Sequence, residues 1–228
     1  MNSRVSMDSG VNMNNDIYMN NDTYMRDETV KYTNEWTPMV EEESCNGIRE
    51  ISLRTRHFTN GKIFITGEIT SDTANNFVMQ LLYHADKGNP VDIYINSPGG
   101  SVNAGLVIYD LIQNLKDKID INIYCVGMAA SMAAVILAGG KKGRRFILPH
   151  SKCMIHEPLI SGGMGGSASS IKKTAESILE TKAITNGILA EHTGKTVEEI
   201  DEATAYDNYM NAEESVKFGL CDEIRNLF

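Results

Sequence analysis

A serine, a histidine and an acid stand in this chain where nucleophilic catalysis tends to place them. Ser131 lies in Gly127-Met128-Ala129-Ala130-Ser131-Met132-Ala133-Ala134, ringed by small residues that leave its hydroxyl open to a substrate backbone. A serine nucleophile needs a base within hydrogen-bond reach. Of the five histidines, His156 in Met154-Ile155-His156-Glu157-Pro158 follows a strand-like apolar run, 25 residues beyond Ser131, which is enough chain to return beside it. His57, His84, His150 and His192 fall in polar or helical contexts and read as surface residues. An acid that orients the imidazole belongs on a turn. Asp207, in Ala205-Tyr206-Asp207-Asn208-Tyr209-Met210, fits, although spacing alone does not select it among thirty acidic residues. Two of these residues also have a plainer reading: Ser131 as a helix cap and His156 as a structural histidine.

Two glycine-rich turns bear on the same chemistry, each where a strand signal gives way to a helix signal. In Asn96-Ser97-Pro98-Gly99-Gly100 the paired glycines allow close backbone approach and expose N–H groups that can receive an anion. In the second turn, the N–H of Met132 opens a helix and has no intrahelical partner. This is not the G-x-S-x-G elbow of the α/β-hydrolases. Gly194-Lys195-Thr196 imitates the end of a P-loop. However, Leu189 stands where that motif requires a glycine, and a helix rather than a strand precedes it. The chain is therefore not expected to bind ATP.

The elements that must position these residues alternate. Strand signals cover residues 62–65, 91–95, 119–126, 145–148 and 152–155. Helical spacing covers 73–86, 104–115 and 131–138, a long run from about 169 to 192, a shorter one after Thr196, and 212–218 between the cap Asn211 and the stop Gly219. Strands alternating with crossover helices predict an α/β architecture with mostly parallel strands. Residues 1–36 differ: Met13-Asn14-Asn15-Asp16-Ile17-Tyr18 is echoed by Met19-Asn20-Asn21-Asp22-Thr23-Tyr24. Such polar, low-complexity text buries too little apolar surface to offset its ordering entropy. It reads as a flexible leader and a candidate propeptide, followed by one domain over 37–228 that begins with the polar, acidic stretch 41–50.

With 42% hydrophobic residues, the chain has material for a core. Its 21 Lys+Arg against 30 Asp+Glu leave a net charge of -9, which argues against nucleic acid as a partner, since a binder needs a basic face to displace counterions. Cys45, Cys125, Cys153 and Cys221 form no C-x-x-C pair and read as free buried thiols of a reducing cytoplasm. No cofactor or metal motif appears. The uncharged stretch 121–140 matches a membrane span in length, but it is weakly apolar and interrupted by Gly127, so a buried strand and helix are expected there.

Taken together, Ile95-Asn96-Ser97-Pro98-Gly99-Gly100, Gly127-Met128-Ala129-Ala130-Ser131-Met132, Met154-Ile155-His156-Glu157-Pro158-Leu159 and His192-Thr193-Gly194 resemble, in order and spacing, the ClpP family, the proteolytic subunits of the ATP-dependent Clp protease. The resemblance spans about residues 37–228. It implies a ClpP/crotonase-like spiral of β-β-α units with a protruding handle helix. It implies a nucleophile at Ser131, a general base at His156, an orienting acid at Asp207, and an oxyanion hole from the N–H groups of Gly100 and Met132. It further implies cytoplasmic heptameric rings stacked in pairs, an AAA+ unfoldase partner that uses ATP, and unfolded proteins as substrates, with short peptides cut unaided. A catalytically weak paralogue that assembles with another subunit, and a crotonase-family acyl-CoA enzyme, are the rival expectations. Three features depart from the family pattern: the long leader, a glycine-rich handle segment at 161–167, and Tyr206 where an arginine usually precedes the acid. The last two put ring-to-ring assembly in question.

Overall fold

The computed structural model describes residues 38–44, 47–160 and 165–227. The leader, Cys45 and residues 161–164 of the glycine-rich segment lie outside the described residues. Among the described residues, an antiparallel pair of β1 (Met39–Ser44) and β2 (Gly47–Ser52) comes first and leads into α1 (Leu53–Thr59). Neither was expected from the polar, acidic sequence there. Cross-strand pairs such as Arg49 with Glu42 accompany the ladder in place of a buried face.

Among the described residues the body is a seven-stranded sheet. β3 (Lys62–Thr66), β4 (Val91–Ser97), β5 (Ile121–Ala130), β6 (Arg145–Ile147) and β9 (Glu223–Ile224) run parallel in that order. β7 (Lys152–Ile155) pairs in parallel with the far end of β5, and β8 (Asn208–Met210) pairs antiparallel with β7. Period-two sequence makes the strands: Val91, Ile93 and Ile95, like Ile121, Ile123 and Cys125, are buried, while the residues between them face outward. On that outer face, register aligns Phe64, Tyr94, Tyr124 and Phe146, whose rings stack at 5.0–5.2 Å. Such aromatic pairs contribute roughly 0.5–1.5 kcal/mol each beyond their buried area.

The predicted helices appear as α2 (Ser71–Asp86), α3 (Val102–Leu115), α4 (Met132–Ala138), α5 (Ala168–Thr193), α6 (Val197–Thr204) and α7 (Ala212–Phe218). All seven residues of α4 are buried, so it is the centre of the core, and each large aliphatic side chain buried there is worth about 1.5–3 kcal/mol. The stretch 121–140 is therefore a strand and a short internal helix, and no described helix is long and apolar enough to cross a membrane. The false P-loop resolves into two caps: Gly194 closes α5 in the left-handed region, and Thr196 opens α6 in a capping box. Cys125, Cys153 and Cys221 are free and buried. The mixed α/β architecture with its parallel sheet is as expected; β1, β2, α1, β8 and β9 are additions.

Two histidines correct the expectation of surface positions. His84 is wholly buried against Phe58 and Tyr83, and burial pushes its pKa down. His192 shares a 2.8 Å hydrogen bond with the Tyr109 hydroxyl. Burial lowers the pKa of His192 and raises that of Tyr109 to about 12. His84 lies on the buried face of α2 with Phe77 and Leu81, and His192 is half-buried near the end of α5.

Candidate active site

Two strand ladders bring the site together. β5 and β7 pair with Ala130 opposite Met154, and the Ser131 N–H donates to the Met154 carbonyl at 2.8 Å. β7 and β8 pair with Ile155 opposite Asn208. The next residue along β7 is His156, and the one before Asn208 is Asp207, so these two face each other where the ladder ends. β8 matters here because the sequence reading placed Asp207 only on a turn between two helices. The turn is real, but a three-residue strand after it sets the register.

Ser131 sits between the last residue of β5 and the first of α4, with φ 54° and ψ −125°. It is the one non-glycine residue at positive φ among the described residues. Such strain costs on the order of 1–3 kcal/mol and clusters at functional sites. Its side chain makes no helix-cap hydrogen bond, so the cap reading fails and the hydroxyl is free for another partner. That partner is His156, whose Nε2 lies 2.9 Å from Ser131 Oγ; Nδ1 lies 3.2 Å from Asp207 Oδ1. The His156 side chain is 16% exposed and that of Asp207 58%. The chain Oγ–imidazole–carboxylate runs from shielded to open, so water reaches the acid but hardly the base.

Behind Ser131 runs the first glycine turn. A Cβ on Gly99 would stand 2.6 Å from Ser131 Cβ and 3.1 Å from the Met132 nitrogen, so only glycine lets this turn lie against the serine. Gly100 follows at φ 151°, held against the backbone of Ile69, which bonds to Gly99 and Ser101 on either side. The N–H of Gly100 and the leading N–H of α4, on Met132, are thus carried on two segments that meet beside Ser131. Between Ile95 and Ser97 the pairing with β5 shifts register around Gly127, whose N–H donates to Ser151 Oγ at 2.7 Å. The strand runs on to Ala130 rather than ending near Val126 as the sequence suggested.

A narrow pocket opens beside Ser131 and His156, walled by Val102, Met132, Val135, Pro158 and Leu189, with Thr185 its polar residue apart from the Ser–His pair. Sequence reasoning did not find it, because its walls come from four separate segments. A larger cavity of about 580 Å³ between α1, β3 and α2 contains none of the three residues. Among the described residues no cluster of His, Cys, Asp or Glu is arranged to hold a metal ion.

The arrangement is suited to acyl transfer: a hydroxyl in contact with an imidazole, a carboxylate on the far ring nitrogen, and backbone donors near the hydroxyl. The family model described as Clp protease matches residues 45–227, most of the chain.

Proposed function

Since the chain belongs to the Clp protease family, we propose that it is a serine endopeptidase in which Ser131, His156 and Asp207 form the catalytic triad. The observation that carries this reading is the continuous hydrogen-bonded path from Ser131 through His156 to Asp207. In this mechanism Ser131 Oγ attacks the peptide carbonyl while His156 Nε2 takes its proton. The same proton is then delivered to the leaving amine, and water repeats the sequence on the acyl-enzyme. Asp207 keeps Nδ1 protonated, so that Nε2 is free to act as base. The N–H groups of Gly100 and Met132 receive the negative oxygen, and each such donor is worth about 10²–10³ in turnover. The apolar pocket beside Ser131 takes the side chain preceding the scissile bond, which favours apolar residues at that position.

The proposal extends to assembly and partners. The first half of α5 is largely exposed, with Ile171 and Leu179 at its surface. A helix of that length with so little burial suits packing against another copy, and the family reading makes this a cytoplasmic ring with its sites facing an inner chamber. An AAA+ unfoldase of the Clp type would deliver unfolded protein at the expense of ATP, which this chain does not itself bind.

Ser131→Ala tests the core of the proposal. The variant should lose cleavage of a fluorogenic peptide and labelling by a fluorophosphonate while keeping its native mass, because the hydroxyl contributes chemistry and little packing. Cleavage persisting at the unaltered rate would remove Ser131 from the mechanism.

A further inference from the structure

The His156–Asp207 contact is not protected by burial, so something else must hold its two strand ends in line. Lys182 on α5 stands at that junction. Its Nζ is 2.8 Å from Glu157 Oε2, on the residue directly after His156. It is also 4.0 Å from Asp201 Oδ1 on α6, whose last residue is three before Asp207. The two segments also meet directly, through the Glu157 N–H donating to the Thr204 carbonyl at 2.8 Å. One turn further along α5, buried Asn186 donates to the same Asp201 oxygen at 2.6 Å and to Thr204 Oγ1 at 3.3 Å. A single cation is therefore shared by the segment that presents the base and the helix that leads to the acid.

We propose that Lys182 is a positioning residue for the Ser131–His156–Asp207 site, clipping the chain after His156 and the helix before Asp207 to α5. The inference rests on the reading of those three residues as a triad. Lys182 touches neither substrate nor the reacting atoms. It acts by limiting relative slip of the two strand ends, to which a 3.2 Å hydrogen bond on an exposed carboxylate is sensitive. The Lys182 side chain is 25% exposed and that of Glu157 40%, so the pair is partly shielded and its effect exceeds that of a fully solvated ion pair. The Glu157 hydrogen bond raises the Lys182 pKa, which keeps the cation charged throughout the working range. Because α5 carries the lysine, movement of that helix is transmitted to the alignment of base and acid.

The test compares Lys182→Met, which keeps the apolar stem, and Lys182→Arg, which keeps the charge, in the full-length assembled protein. Native mass and a fluorogenic peptide assay are read for each. Lys182→Met should lower kcat by about three- to tenfold at unchanged KM, Lys182→Arg should stay within twofold, and the gap between Met and wild type should narrow in 1 M NaCl. Glu157→Gln should reproduce the Met phenotype, and serves in its place if Lys182→Met fails to assemble. A Met variant within twofold of wild type, or an Arg variant as impaired as the Met one, overturns the proposal. Ser131→Ala assayed in parallel separates the two levels: activity there would undo the triad itself, whereas an inert Ser131→Ala beside a fully active Lys182→Met removes only the clip.

Discussion

At the scale of single residues, the site depends on hydrogen bonds whose loss has unequal consequences. Asp207→Asn preserves size but lets the imidazole adopt the wrong tautomer, so turnover should fall by about 10⁴ with the fold intact. A loss of less than tenfold in kcat would mean that another acid orients His156. A second acid matters for folding. Asp222 pairs with Arg145, whose side chain is 3% exposed and also donates to the carbonyls of Ala138, His192 and Gly219. Burial alone would raise the Asp222 pKa, but the hydrogen bonds and charge of Arg145 prevail and hold it below the usual carboxylate value. A depressed folded pKa contributes stability above the unfolded value of about 3.9, and loses it as pH falls through the lower folded value. Asp222→Asn should therefore destabilise by about 3–5 kcal/mol at neutral pH, since it strands a buried guanidinium. It should also flatten the acid side of the stability profile, which denaturant melts between pH 2 and pH 7 would reveal.

Among elements, the decisive contacts are those between the first glycine turn and the start of α4. Gly99→Ala asks for a Cβ 2.6 Å from Ser131 Cβ and 2.7 Å from the Ala130 carbonyl, at φ 94°. The Ala130 backbone and the Ser131 Cβ, which is fixed to its own backbone, have no room to yield, so the turn must move away and take the Gly100 N–H with it. Peptidase activity should drop by at least 10²-fold, the measure of a lost oxyanion donor, while circular dichroism still reports the α/β sheet. Full activity in this variant would show that the turn tolerates displacement and that Gly100 is not a donor.

For the whole molecule, the proposed assembly turns on how strongly copies associate. Tyr206 is 87% exposed, and offers one neutral hydroxyl where the family pattern has a bidentate guanidinium. Gly165 and Gly166 precede the cap of α5, and ordering such a segment at an interface costs roughly 1–2 kcal/mol per residue fixed. If the proposed rings form, this cost repeated around each should weaken their pairing and leave single rings readily populated on dilution. Sedimentation at micromolar and sub-micromolar concentration reads the outcome. A double ring that stays whole, with constant specific activity, would show that other contacts compensate for Tyr206.

The sequence by itself determined whatever depends on neighbours a few residues apart. Alternating apolar residues made β4 and β5 legible, and Asn211 with Gly219 bounded α7 to the residue. The two glycine turns and the strand-end histidine were legible as motifs of fixed spacing. Tertiary structure decided what depends on partners far along the chain. Asp207 emerges from thirty acids because β8, three residues long and unremarkable in composition, pairs with β7 and sets it against His156, 51 residues away. The strained backbone of Ser131, the pocket walls, the Lys182 junction and the burial of His84 belong to the same class. Local periodicity reports which way a side chain faces on its own element. Register and packing report which element it meets, and that is set by burial summed over the entire core.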